Sequence, residues 1–201
     1  MAPKHIVVKP SEPDKKVFCI AKAAAKLFSS KGYVGTSMED VAAEARMSKS
    51  LLYYYFQNKS DILDYVVSSF LDSVLRNTQQ RLEEAENSTE RLRVIILEHV
   101  RTYCEHPYLA KTLLHEAYNL PPVKLRKIKA KEREYYDVMF QSISSYSKNK
   151  IAKEQLTALT FTLLGMCNWI YAWYDPKGPL TPEQLSEIIF SLFTGSFWKE
   201  A

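Results

Sequence analysis

Ser48, Lys49, Ser50, Tyr53, Tyr54 and Tyr55 stand within eight residues of one another. They offer one cation, two small hydroxyls and three consecutive phenols. A packed core has no use for three phenols in a row preceded by polar residues. A helix that must touch phosphates and base edges does. Leu52 and Phe56 are four apart and face inward together on such a helix, which leaves Lys49, Ser50, Tyr53 and the remaining tyrosines to project outward. Thr36, at the start of a preceding helix, is placed to meet a phosphate through its hydroxyl and exposed amides. Lys59, one turn beyond the tyrosines, has the length to reach a nucleic-acid backbone.

These residues need two short helices joined by a tight turn. The spacing predicts a first helix capped by Thr36, with Glu39 completing a capping box and Met38, Val41, Ala42 and Ala45 as its buried face. Ser48 caps a reading helix that ends near Asn58. A helix over residues 14 to 30 precedes them, with Val17, Ile20, Ala21, Ala24, Leu27 and Phe28 at three- and four-residue spacing and Gly32 as its stop. An αα-hairpin with a tyrosine-rich packing face is the plainer reading, but three adjacent tyrosines cannot all face one core.

Helices are predicted for the rest of the chain too. A fourth runs from about 60 to 85, long enough to join two domains, and a fifth from 89 to 105. Pro107 opens a sixth, which Pro121-Pro122 ends. A seventh covers 123 to 147 and an apolar eighth 153 to 174. Residues 175 to 179 form a turn, and Thr181-Pro182-Glu183-Gln184 opens a ninth with cap, proline and capping box in register. No strand-like alternation occurs. The expected fold is all-α: a flexible arm over 1–13, a three-helix DNA-binding domain over 14–60, and a helical domain over 61–201.

Charge follows the same division. The net charge is +4 over 201 residues. Residues 1 to 60 carry 10 Lys/Arg against 5 Asp/Glu, a net of +5, and residues 61 to 201 carry 17 against 18, a net of −1. A basic end on an otherwise neutral chain is the footprint of a polyanion binder. Cys19, Cys104 and Cys167 are too scattered for a metal site or disulfide framework and fit a reducing cytoplasm. No signal peptide or membrane span is expected.

Residues 17 to 64 resemble the DNA-binding domain of TetR-family transcriptional regulators. The matching segments are Ala-Ala-Ala-Lys-Leu-Phe-Ser-Ser-Lys-Gly-Tyr at 23 to 33, Thr-Ser-Met-Glu-Asp-Val-Ala at 36 to 42, and Ser-Lys-Ser-Leu-Leu-Tyr-Tyr-Tyr-Phe-Gln-Asn-Lys-Ser-Asp-Ile-Leu at 48 to 63. The resemblance implies a nine-helix fold, a homodimer with a C-terminal ligand and dimerisation domain, and a double-stranded operator as partner. It implies DNA contacts from Thr36, Ser48, Lys49, Ser50, Tyr53, Tyr54, Tyr55 and Lys59. The chain departs from the family pattern at Arg46, where glycine is usual. Arg46 is therefore expected at positive φ, with some local strain, and as a further phosphate contact.

The second domain has two candidate surfaces. The ninth helix aligns Leu185, Ile188, Ile189, Leu192, Phe193 and Phe197, and the eighth is apolar nearly all round, so it must be buried from several sides. Trp173, Leu185, Ile189, Leu192, Phe193 and Phe197 are the expected dimer contacts; the plainer reading makes them core. His99, Tyr103, His115, Tyr118, Asn168 and Trp169 are polar groups on apolar helices and are the expected ligand contacts, each with a duller reading as a satisfied core residue. The segment 168 to 180 is similar to a TetR subgroup that responds to acyl-CoA thioesters, which suggests an acyl-CoA as the small-molecule effector. The run Lys124, Arg126, Lys127, Lys129, Lys131 and Arg133 is either a solvated face or a landing site for coenzyme A phosphates.

Enzyme readings fail on spacing. There is no Gly-rich phosphate loop, His-Glu-x-x-His or Gly-x-Ser-x-Gly. Glu98 and Glu105 each adjoin a histidine, which breaks the Glu-x-x-His spacing of a di-iron bundle. No cofactor or metal site is expected. The expected function is a ligand-responsive, sequence-specific repressor. The alternative is a helical adaptor binding protein partners through aromatic surfaces, which salt-dependent DNA binding would separate.

Overall fold

The computed structural model describes residues 15–148 and 150–195, and among these every regular element is helical. The order is α1 (Lys15–Lys31), α2 (Met38–Glu44), α3 (Lys49–Tyr55), α4 (Lys59–Glu83), α5 (Ser88–Glu105), α6 (Pro107–Glu116), a short 3-10 helix (Ala117–Asn119), α7 (Pro122–Tyr146), α8 (Lys153–Asn168), α9 (Ile170–Trp173) and α10 (Pro182–Gly195). The expected arm over 1–13 and the expected contact Phe197 lie outside the described residues.

The N-terminal helices close around a small core. Ile20, Ala24 and Phe28 of α1 meet Val41 of α2 and Leu52 of α3, all buried. Gly32, at φ +77°, ends α1, and Gly35 is needed because a Cβ there would lie 2.6 Å from the Lys31 carbonyl oxygen. The cap of α2 falls one residue later than the spacing suggested. Ser37 accepts from the Asp40 amide at 3.0 Å, and Asp40 Oδ2 accepts the Ser37 amide at 2.8 Å. Thr36 instead turns inward, and its hydroxyl donates to the Gly32 carbonyl at 2.8 Å. Two neighbouring hydroxyl residues each have an acid three positions on, and burial decides which one caps. Arg46 sits at φ 53° between α2 and α3, as expected of a non-glycine residue there. Left-handed backbone costs such a residue roughly 1–2 kcal/mol.

The reading helix is shorter than the spacing implied. It stops at Tyr55, because Phe56 turns extended (φ −134°, ψ 120°) to bury its ring against Tyr65. Asn58 then caps α4, whose buried face runs from Ile62 to Leu82 and so belongs to both halves of the molecule.

The larger half packs α5, buried on several sides, between α4, α7 and α10. Arg101 ties Glu98 on α5 to Glu183 on α10 at 3.0 Å each, and the Arg93 guanidinium lies 3.9 Å over the Phe190 ring. Thr181 and Gln184 form the expected capping box of α10. The expected eighth helix is not continuous to residue 174. It breaks at Trp169 into α8 and the four-residue α9.

Candidate functional site

The second short helix presents its polar residues outward. Arg46, Ser48, Lys49 and Ser50 are exposed, Tyr53 is 42% exposed and Tyr54 70%. Leu52 is fully buried beneath them. Ser48 also has a structural task, since its hydroxyl accepts from the Leu51 amide at 3.2 Å. Lys49 pairs with Glu39 of α2, which holds the Glu39 carboxyl below and the Lys49 ammonium above their ordinary pKa values. The face is thus cationic and phenolic, with one carboxylate already matched.

Three expected contacts lie elsewhere. Tyr55 is half-buried against the core, its ring edge-on to Tyr54 at 5.1 Å, because α3 rotates it toward Phe56. Thr36 is buried, and its amide is also taken, by the Tyr33 carbonyl at 3.3 Å. Lys59 turns back into the protein. Its ammonium donates to the carbonyls of Tyr33 and Thr36 at 2.5 and 2.6 Å, reaches toward that of Val34 at 3.4 Å, and lies 4.3 Å from the centre of the Tyr33 ring. Lys59 therefore braces the α1–α2 loop.

A cavity of about 890 Å³ opens in the larger half. Leu71, Val74, Leu113, Leu114, Phe140 and Leu164 give it apolar walls, and His99, Tyr103 and Asn168 give it polar groups, the first two buried and Asn168 half-buried. Exposed Lys129, Arg133 and Lys153 stand at its edge with Glu132 and Asp137. Four of the six expected ligand contacts meet here: His99, Tyr103, Tyr118 and Asn168. His115 does not. It is exposed, and its Nε2 lies 2.6 Å from the Tyr171 hydroxyl. Trp169 points to solvent at 62% exposure. Sequence reasoning missed Tyr135, Tyr136, Phe140 and Phe161, although the aromatic cluster at 135, 136 and 140 on a charged helix was a signal. The basic run divides. Lys124 pairs with Asp61 and Lys131 with Asp72, while Lys129 and Arg133 reach the cavity.

His99, Tyr135 and Asn168 form one hydrogen-bond network. His99 Nδ1 lies 2.9 Å from the Tyr135 hydroxyl and Nε2 lies 3.1 Å from Asn168 Oδ1. Burial pulls the His99 pKa down to about 4, against the supporting bond from Asn168, so the ring is neutral at pH 7. Burial raises the Tyr103 and Tyr135 phenols, and pushes the Cys104 and Cys167 thiols up to about 12. Those cysteines are protonated packing residues, and no group of three or more His, Cys, Asp or Glu among the described residues is arranged to hold a metal.

The expected dimer stripe splits in two. Leu185, Ile189 and Phe193 are buried inside the subunit, where α10 packs on α5. Trp173 and Leu192 do face outward, Leu192 at 65% exposure, with Ile188, Phe161 and Trp169 also exposed.

Fold and sites together define a class: a helical protein with an N-terminal helix-turn-helix and a larger, cavity-bearing half. Family models match the same two parts. Residues 20–66 match "Bacterial regulatory proteins, tetR family" and residues 85–197 match "Tetracyclin repressor-like, C-terminal domain". The chain belongs to the TetR family; it is a DNA-binding transcriptional regulator and not an enzyme. It is 23% identical to the HTH-type transcriptional repressor KstR2 of Mycolicibacterium smegmatis over 193 residues, covering 92% of each chain. A TetR-family regulator from Bordetella parapertussis superposes with a TM-score of 0.87 at 26% identity, covering 93% of this chain and 98% of that one. AibR, solved with isovaleryl coenzyme A and operator DNA, superposes with a TM-score of 0.77 at 30% identity, covering 88% and 97%. Among the described residues no helix is long and apolar enough to cross a membrane.

Proposed function

We propose that the protein is a homodimeric, sequence-specific repressor whose operator affinity is set by a small-molecule effector of the acyl-CoA class. Residues 14–60 read DNA, and residues 61–201 bind the effector and the second copy. The cavity carries this reading. Its volume of about 890 Å³, apolar walls and few buried polar groups are what a small-molecule site requires. Lys129, Arg133 and Lys153 at the edge suit the phosphates of coenzyme A, which would displace Glu132 and Asp137 from the first two. AibR, whose structure holds isovaleryl coenzyme A, supports the choice of class.

The DNA face comprises Arg46, Lys49, Ser50, Tyr53 and Tyr54. Two such faces are needed to read paired half-sites. The exposed apolar side chains Trp169, Trp173, Ile188 and Leu192, from the end of α8 to α10, supply a surface for the second copy. A thermal-shift series of straight-chain and ring-bearing acyl-CoA esters tests the effector. A binder specific to the folded state raises the midpoint. If no ester of any chain length does so, the acyl-CoA class is wrong, and a repressor answering to another ligand survives.

A further inference from the structure

Two hydrogen-bond donors on the cavity wall have no acceptor among the described residues. The first is the Tyr103 hydroxyl. Tyr103 is only 4% exposed and lines the cavity, yet its hydroxyl has no hydrogen-bond partner among the described residues. The second follows from His99. Its two neighbours fix the tautomer: Asn168 Oδ1 can only accept, so Nε2 carries the hydrogen, and Nδ1 accepts from the Tyr135 hydroxyl. Asn168 Oδ1 is thereby engaged, which leaves the Asn168 Nδ2 amide as a donor with no partner among the described residues. The His99 and Tyr103 rings lie 4.3 Å apart between centroids, so one imidazole braces both donors.

Two donors beside the same imidazole, one on α5 and one on α8, suit an oxygen with two free lone pairs. A carbonyl oxygen supplies that and brings no proton that needs its own acceptor. A carboxylate would bury a charge, and the cavity's cations are on exposed side chains at its edge. We propose that the inner wall selects effectors bearing a carbonyl oxygen, received by Tyr103 Oη–H and Asn168 Nδ2–H, with His99 as the residue that positions both. This rests on the cavity being the effector site. The carbonyl is either the thioester's own or a ketone further along the acyl group.

The test uses three probes with the full chain: hexanoyl-CoA, its thioether analogue S-hexyl-CoA, and an S-hexyl-CoA carrying a ketone near the chain end. Calorimetric titration of the wild type is expected to favour one carbonyl probe over S-hexyl-CoA by about tenfold, since a site built to hydrogen-bond discriminates against an analogue that leaves its polar groups unpaired. The favoured probe identifies the source of the carbonyl. Tyr103→Phe is expected to bring that ratio close to one with S-hexyl-CoA affinity unchanged. His99→Phe, which keeps a ring against Tyr103 but frees the Asn168 amide, is expected to reduce the ratio as well. Equal affinity of all three probes for the wild type, or an undiminished ratio in Tyr103→Phe, overturns the proposal. The same three groups on pantetheine, which has no phosphates, isolate the coenzyme A reading. Discrimination among them with no gain from the CoA forms removes coenzyme A and keeps the carbonyl, and failure of all six probes to bind overturns it.

Discussion

Lys49 begins the reading helix with its ammonium on Glu39, and both side chains are more than half exposed. An exposed pair of this kind contributes little to stability, so a phosphate can take the place of the carboxylate. Lys49→Ala is expected to weaken binding to every DNA sequence and to make the salt dependence shallower by about one unit. Glu39→Gln, which removes the competitor, is expected to tighten binding. An unchanged salt slope in Lys49→Ala would mean that Lys49 touches no phosphate. His99 gives a second prediction, in pH. Its pKa is about 4 when folded and near the ordinary 6.5 when unfolded. Below pH 6.5 the unfolded chain binds the extra proton, so stability falls as pH drops from 6.5 toward 4 and is unaffected by this group above pH 7. The loss is about 2 kcal/mol by pH 5. Urea midpoints at pH 7 and pH 5 are expected to differ less in His99→Phe than in the wild type. An equal fall in both proteins would show that His99 is not held neutral.

The α1–α2 loop owes its shape to α4, because Lys59 donates to three of its carbonyls. Lys59→Ala is expected to lower the thermal midpoint without DNA present, since losing a charged donor from partly buried carbonyls costs on the order of 1 kcal/mol. An unchanged midpoint with weakened DNA binding would instead place Lys59 on a phosphate. On α10, adjacent residues separate core from surface. Leu192→Glu is expected to give folded monomers by sedimentation, whereas Phe193→Glu, set beneath α5, is expected to unfold the domain. A folded Leu192→Glu dimer would move the interface elsewhere. Periodicity placed nearly every helix, since apolar spacing and end signals are local properties of the chain. It could not divide residues 185 to 193 between core and exposed face, because both stripes carry the same apolar residue types. It ran α8 through Trp169, where neither glycine nor proline marks the break. Thr36 and Ser37 were equivalent as caps until burial chose between them. The cavity was half legible: single polar residues on apolar helices pointed to His99, Tyr103, Tyr118 and Asn168. That α4 to α8 bring them together is a tertiary fact, and no spacing encodes it.

At the scale of the whole molecule, α6 and α4 connect the cavity to the reading helix. Leu113 and Leu114 of α6 line the cavity, and the Glu116 carboxylate at its end accepts the Tyr33 amide at 2.8 Å in the α1–α2 loop. Thr112 donates to the Ala25 carbonyl of α1 at 3.2 Å, and Lys124 of α7 pairs with Asp61 of α4. Leu71 and Val74 place α4 itself in the cavity wall, about two turns beyond the half that supports α3. An occupant that shifts α6 or α4 thus shifts the loop and helix that carry the DNA face. It can do so only by binding one arrangement better than the other, and about 1.4 kcal/mol of preference moves the equilibrium tenfold. The most direct measurement is fluorescence anisotropy on an operator selected by the protein from random-sequence DNA, titrated at one fixed salt concentration with and without saturating acyl-CoA of increasing chain length. A change in operator affinity of at least about tenfold for one range of chain lengths is the predicted result. Operator affinity that stays constant at every chain length, with the esters shown to occupy the cavity, would contradict it.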